Sequence, residues 1–267
     1  MKSAVTLRVV VALSLWLPAL LVADPANADR QATIERVRAS VVAIGTFERT
    51  RSPQFQFLGT GFAVGDGTII VTNSHVLPPL LDPVRRETIA VLLPGRVKDP
   101  KDVKDDIQAR EVKQIVVDTN SDLALLKLSG ATLPPLKIRD SDTVREGQDV
   151  LFTGFPIGAV LGPFPATHRG MVSAVTPIAI PQARASELEP QTVRRLTSGS
   201  FPVLQLDATA YPGSSGSPVY DPETGEVVGI INMVLVKSTK ESALSQPSGI
   251  TYAVPSRHLQ MLLEKAR

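Results

Sequence analysis

Twelve short runs rich in β-branched residues, each ended by turn-forming residues, constrain what this 267-residue chain can fold into more than any other feature. They begin at Val41–Ile44 and continue through segments such as Gly61–Val64, Thr68–Thr72, Leu123–Leu128, Val203–Leu206 and Val227–Val236 to Ile250–Ala253. Strands of this length and spacing argue for an all-β sandwich or a pair of barrels. Asp66-Gly67, set between FAV and TIIV, reads as a two-residue hairpin. Helical periodicity is confined to the ends. ATIERVRA (Ala32–Ala39) reads as a short helix, and RHLQMLLEKAR after Pro255-Ser256 places Leu259, Leu262 and Leu263 on one face of a terminal one. The polar stretch Pro177–Ser200 is long for a connection in a compact domain, which marks it as functional or mobile rather than inert.

The N-terminus has the make-up of a secretory leader. Lys2 and Arg8 precede an apolar run, Val9–Ala23, that is too short for a comfortable membrane span, and Ala26-Asn27-Ala28 supplies a small-x-small cleavage site. Residues 1–28 are therefore expected to be removed, leaving no stable membrane span and a mature chain that starts at Asp29 and is exported to the periplasm or secreted. An exported protein is free to form disulfides, yet the chain has no cysteine, so its stability must come from its apolar core. Hydrophobic residues make up 43% of it, enough for such a core. With no Cys and only His75, His168 and His258, no zinc-type spacing exists, and neither a metal nor another cofactor is expected. A net charge of +2 without a Lys/Arg cluster gives no case for nucleic acid, and the mixed-sign run Val97–Arg110 reads as a solvated loop.

Three segments carry chemistry. TNSHVL places His75 at the end of the TIIV strand, TNSDLALLKL places Asp122 at the mouth of an apolar strand, and YPGSSGSPVYD (Tyr211–Asp221) sets two serines between glycines. Each has an ordinary reading by itself: a structural histidine, a turn-forming aspartate and a tight small-residue turn. Together they match what acyl transfer needs: a hydroxyl beside a base, a carboxylate that orients the base, and backbone N–H groups facing the developing oxyanion. The order His, Asp, Ser is that of chymotrypsin-type enzymes.

These segments also carry a resemblance. GTGFAV (Gly59–Val64), TNSHV, SDLALLKL, the Asp140–Asp142 DSD with VREGQDVLFTGFPIG, GMVSAV (Gly170–Val175), LDATAYPGSSGSPV and GITYAVPS are collinear with segments of trypsin-like serine proteases of the HtrA/Deg type. The resemblance covers nearly all of Val41–Leu263. It implies an all-β fold of two six-stranded antiparallel β-barrels of the chymotrypsin type with a short C-terminal helix. The expected divisions are an N-terminal segment at 29–40, a first barrel at about 41–145, a second at about 146–254 and the helix at about 255–267.

The resemblance further implies catalytic roles for His75, Asp122 and Ser215, and an oxyanion hole made by the backbone of Gly213 and Ser215. The implied substrates are polypeptides, including unfolded proteins, and the implied assembly is a homotrimer. Two positions depart from the family pattern: Ser214 stands where Asn is usual and Ser217 where Gly is usual. Endings of the GSGSPV kind also occur in glutamyl endopeptidases of the same fold. The peptide-binding PDZ domain that usually follows in HtrA proteases is not expected here.

Thr209, six residues before Ser215, replaces the carboxylate that trypsin-like cleavage after Lys or Arg requires. Ile231 replaces the histidine that reads Glu in the glutamyl endopeptidases. With Thr209, Ile230, Ile231 and Met233 expected around the substrate pocket, small to medium aliphatic residues should precede the scissile bond. Two other classes stay open on the sequence: a catalytically inactive homologue that binds partners through the same cleft, and an esterase, although the G-x-S-x-G elbow is missing.

Overall fold

Each of the twelve runs corresponds to a strand in the computed structural model, which describes residues 25–93, 109–158, 162, 164–177, 201–232 and 249–266. Strands β1 (Val41–Phe47), β2 (Phe55–Val64), β3 (Ile69–Thr72), β4 (Thr88–Leu92), β5 (Ala109–Asp118) and β6 (Leu123–Leu128) close one barrel in the order β1-β2-β3-β6-β5-β4. Strands β7 (Asp149–Gly154), β8 (Ala166–Pro177), β9 (Pro202–Asp207), β10 (Pro218–Tyr220), β11 (Val227–Ile231) and β12 (Ile250–Pro255) close a second in the order β10-β11-β12-β9-β8-β7. Read round the ring, both barrels share one connectivity: first, second, third, sixth, fifth, fourth. All the strand pairs are antiparallel, and closure leaves no strand edge to be covered.

Sequence pattern explains which strands lie inside. The run LALLKL of β6 is apolar on both faces and is buried except at Lys127, because one face fills the barrel and the other meets the second barrel. The charged AREVKQ start of β5 is largely exposed. The β2–β3 connection differs from the two-residue expectation. Its loop takes four residues, Gly65–Thr68, because Asp66 Oδ1 accepts the Thr68 N–H at 2.9 Å and draws that residue out of the ladder, whose last pair is Val64↔Ile69.

The core that matters for function lies between the barrels. Val41, Phe62, Val64, Leu123 and Leu125 of the first barrel pack with Leu151, Phe155, Tyr220, Val227 and Ile230 of the second. Two helices complete this cluster. Helix α1 (Pro25–Arg38), longer than the predicted Ala32–Ala39, contributes Val37, and its Thr33 hydroxyl and Arg36 guanidinium donate to the carbonyls of Glu223 and Thr224 at 3.0 Å. Although it precedes the first barrel in sequence, α1 is thus tied to the β10–β11 turn of the second.

Helix α2 (Ser256–Lys265) presses Leu259 and Leu262 into the same cluster, and the Ser256 hydroxyl donates to the Arg139 carbonyl at 2.5 Å. Burying one such leucine contributes about 1.5–3 kcal/mol. The connector between the barrels is held by parallel bridges on both sides, Val64↔Leu136 and Ile138↔Val227. The seam is therefore a packed interface rather than a hinge. No helix among the described residues is long and apolar enough to cross a membrane. The expected leader up to residue 24, most of the Pro177–Ser200 loop and most of the Val97–Arg110 run lie outside the described residues.

Candidate active site

The site begins with two strand ends that the ladder places side by side. β3 and β6 are paired, with Thr72 opposite Ala124, so the residues just after one and just before the other must meet. After Thr72 the chain makes a 3₁₀ turn, Ser74–Val76, which carries His75. Before Leu123 it passes through Asp122, buried and at φ +54°, a left-handed conformation that Asp tolerates better than most residues. The Asp122 carbonyl accepts from Asn73 Nδ2 at 3.0 Å and from the Ser74 N–H at 3.1 Å, which locks the two turns together.

The Asp122 carboxylate is saturated by four donors. Oδ1 accepts the Ser74 hydroxyl at 2.5 Å and the His75 backbone N–H at 3.0 Å. Oδ2 lies 2.6 Å from His75 Nδ1 and accepts Asn232 Nδ2 at 2.8 Å. Burial by itself raises the pKa of this group. The hydrogen bond and charge of His75 and the Ser74 and backbone donors outweigh it, and the carboxyl is held below its ordinary range. An ionised carboxylate only accepts, so Nδ1 must carry the proton and Nε2 presents its lone pair outward. That Nε2 lies 3.0 Å from Ser215 Oγ.

Ser215 comes from the second barrel, in the turn between β9 and β10. Gly213 at φ +98° and Gly216 at φ +87° bracket it. A Cβ on Gly213 would come within 2.5 Å of the Phe155 carbonyl oxygen, and one on Gly216 within 2.0 Å of the Thr60 carbonyl oxygen. Only glycine satisfies both the dihedral and the space at these positions. Ser214, the other serine of the pair, is buried and faces its own loop: its N–H donates to the Tyr211 carbonyl at 2.9 Å, and its hydroxyl accepts the Tyr211 N–H at 3.4 Å.

Of the expected site residues, the structure brings His75, Asp122, Ser215 and Gly213 together. The expected pocket residues fare differently. Thr209 is half-buried in a segment clamped by the Thr251 hydroxyl, which donates to the Ala208 carbonyl at 2.7 Å and accepts the Ala210 N–H at 3.1 Å. Ile230 and Ile231 are wholly buried, and neither offers surface to a substrate. They are adjacent on β11, so one faces the seam between the barrels and the other the interior of the second barrel. Met233 lies outside the described residues.

His168 and His258 stand apart from the hydrogen bonds that link Asp122, His75 and Ser215. His168 stacks on Phe152 at 4.9 Å, His258 lies tilted against Phe201 at 4.2 Å, and burial lowers the pKa of both. No cluster of three or more metal-ligating side chains occurs among the described residues. Two participants were missed on the sequence, Ser74 and Asn232. Ser74 carried a signal, a polar residue abutting the histidine, whereas the polar residue that ends the run GII carried none of its own.

With the geometry in place, comparison with known proteins decides the family. A model of the trypsin-like peptidase domain matches residues 59–230, well over half of the chain. The chain belongs to the trypsin-like peptidase family. Among its relatives, a probable periplasmic serine endoprotease DegP-like of Marinomonas sp. (strain MWYL1) is 29% identical over 212 residues, covering 79% of this chain and 35% of the relative. A protein of the same name from Pseudomonas fluorescens is 30% identical over 207 residues, covering 77% and 34%. The chain thus spans about a third of the length of these relatives. Among solved structures, the HtrA-type protease AlgW with decapeptide superposes with a TM-score of 0.60 at 21% identity, covering 89% of this chain and 67% of the other. That likeness establishes the two-barrel fold that this trypsin-like peptidase shares with HtrA-type proteases.

Proposed function

We propose that this trypsin-like peptidase is a serine endopeptidase in which Ser215 is the nucleophile, His75 the general base and then acid, and Asp122 the carboxylate that orients and charge-stabilises the imidazole. The observation that carries this reading is the unbroken relay from Asp122 Oδ2 through His75 to Ser215 Oγ, at 2.6 and 3.0 Å. Ser215 Oγ attacks the substrate carbonyl carbon as its proton passes to His75 Nε2. The carbonyl oxygen becomes an oxyanion facing the backbone N–H groups of Gly213 and Ser215. The C–N bond then breaks, the amine leaves with the proton from His75, and an acyl group remains on Ser215. Water, deprotonated by His75, attacks that ester and releases the carboxylate product.

Substrates are polypeptides, unfolded ones included, with small to medium aliphatic residues before the scissile bond. Support comes from Thr209, which leaves the place of the carboxylate that reads Lys or Arg uncharged. The enzyme acts outside the cytoplasm, in keeping with the leader and with the names of its relatives, and its assembly is a trimer as in HtrA-type proteases. Cleavage after Ala28 leaves the α1 contacts of Thr33, Arg36 and Val37 intact, because all of them follow Asp29.

The test is reaction of the exported protein with a fluorophosphonate, read by intact mass. One adduct is expected on a chain starting at Asp29. It should be absent from Ser215→Ala and present in Ser214→Ala, with peptide hydrolysis following the same pattern. Loss of at least about 10⁴-fold in kcat/KM is expected for Ser215→Ala. An adduct that survives Ser215→Ala, or a wild-type chain that takes none, refutes the assignment.

A further inference from the structure

Thr60 lies on β2 of the first barrel, wholly buried, at the point where the nucleophile turn of the second barrel is seated. Its N–H donates to the Ser215 carbonyl at 2.9 Å, and its own carbonyl accepts the Thr72 hydroxyl at 2.7 Å, so the backbone on both sides of it is fixed. Its hydroxyl makes two bonds of opposite sense. It donates to the Gly213 carbonyl at 2.7 Å and accepts the Phe155 N–H at 3.0 Å. Its one proton is used and one of its two lone pairs is filled.

These two partners belong to the two segments that control the orientation of the Gly213 amide. In the Gly154–Gly158 loop, the Ile157 N–H donates to the Pro212 carbonyl at 2.7 Å. Within a trans peptide the C=O and N–H point in opposite directions, so holding the Pro212 carbonyl on Ile157 turns the Gly213 N–H the other way. The Thr60 hydroxyl then fixes the next peptide through the Gly213 carbonyl. Ile157 itself is at φ +50°, a costly conformation for a β-branched residue, and must be held there by its surroundings. The bond from Phe155 to Thr60 restrains the loop two residues before it.

We propose that Thr60 is a positioning residue for the oxyanion hole: a hydroxyl from the first barrel that clamps the Phe155–Ile157 loop and the Gly213 carbonyl of the second, and so holds the Gly213 N–H toward the developing oxyanion. The inference rests on the peptidase reading of Ser215. The hydroxyl touches no reacting atom and acts through the backbone it holds. Its loss should slow the step in which negative charge develops on oxygen and leave substrate binding intact.

The experiment compares wild type, Thr60→Val and Thr60→Ser by the second-order rate of Ser215 phosphonylation with a fluorophosphonate, alongside kcat and KM for a peptide. Direct loss of an oxyanion donor costs about 10²–10³ in kcat, so loss of its support should slow labelling and kcat about 10- to 100-fold, with KM unchanged. Thr60→Ser, which keeps the hydroxyl, should remain within about threefold of wild type. If Thr60→Val does not fold, judged by its thermal midpoint, the smaller Thr60→Ala carries the same comparison. A folded hydroxyl-less variant labelled as fast as wild type overturns the proposal, as does a Thr60→Ser variant as slow as Thr60→Val. A rise in KM with unchanged labelling also overturns it. Absence of labelling in the wild type refutes the peptidase reading itself, and this inference with it.

Discussion

The two barrels share one connectivity but contribute to the site in different ways. The first supplies His75 and Asp122 from the ends of adjacent, paired strands, so their geometry is set by the β3–β6 register. The second supplies Ser215 from a turn bracketed by two left-handed glycines, whose place relative to His75 is set by the seam through the Thr60 N–H and hydroxyl. The carboxylate–imidazole pair is thus local to one barrel, whereas the imidazole–hydroxyl contact depends on how the barrels are docked. Asn232 is the exception that joins them. It follows β11 of the second barrel and bonds the Asp122 carboxylate of the first at 2.8 Å.

The largest effect should come from breaking the local pair. Asp122→Asn replaces an acceptor with a group that can donate to Nδ1, which favours the wrong imidazole tautomer, and activity should fall about 10⁴-fold with the fold intact. Asn232→Leu leaves the carboxylate with three of its four donors and should cost much less, about 10-fold in kcat, since Ser74 and the His75 N–H still hold Asp122. Steady-state kinetics on both variants checks the ranking. Equal losses would mean that the cross-barrel bond governs the pair as strongly as its own barrel does.

Loosening the seam should act on stability before chemistry. Leu259→Ala opens a cavity where α2 meets both barrels and is expected to cost about 2–5 kcal/mol. The thermal midpoint should fall by several degrees, roughly 2–4 °C for each kcal/mol in a domain of this size. Activity per folded molecule should stay within a fewfold of wild type, because the hydrogen bonds around Ser215 do not pass through α2. A variant with an unchanged midpoint but lost activity would show that helix packing reaches the site directly.

How much of this was legible depended on whether the determining contact was local. Strand runs announce themselves because alternation and turn residues are local properties, and each of the twelve runs overlaps a strand, Val227–Val236 doing so over Val227–Ile231, with residues 233–236 outside the described residues. His75, Asp122 and Ser215 were legible as a group because three contexts, each ordinary by itself, occur in one order along the chain. Asn232 and Thr60 were not, since their partners lie 110 and 153 residues away and nothing local marks an Asn after GII or a Thr between glycines. Ile230 and Ile231 show the opposite hazard: a strand that ends near Ser215 invites the expectation that both residues face the substrate. Alternation instead sends each into a core, one on either face. The Asp66-Gly67 hairpin was recognised, but its length was set by a side chain that competes with the ladder.

The smallest expected effect, and the one that separates the barrels most cleanly, is in acid. Asp122 in the first barrel and Asp221 in the second both have carboxyls held below their ordinary range. In each, burial pushes the pKa up and is outweighed: at Asp122 by His75 and Ser74, at Asp221 by the N–H groups of Thr224 and Glu223 and by Arg139. A depressed folded pKa means that the unfolded chain takes up its proton first. Each group therefore adds stability above the ordinary value of 3.8, and that contribution is lost as pH falls through the lower folded value. Replacing either residue with Asn removes one such proton uptake, so the unfolding free energy should decline less steeply below about pH 4 than in wild type. Other acid-sensitive groups are common to the wild type and both variants and cancel in the difference. The two variants should nonetheless diverge in function. Asp221→Asn, which caps the β10–β11 turn and pairs with Arg139 at 3.0 Å, should keep full activity at neutral pH, while Asp122→Asn should not. Denaturant unfolding at a series of pH values, with peptide hydrolysis at pH 7 for each variant, checks this. An acid slope left unchanged by Asp122→Asn would mean that its carboxylate gains nothing from the four donors around it.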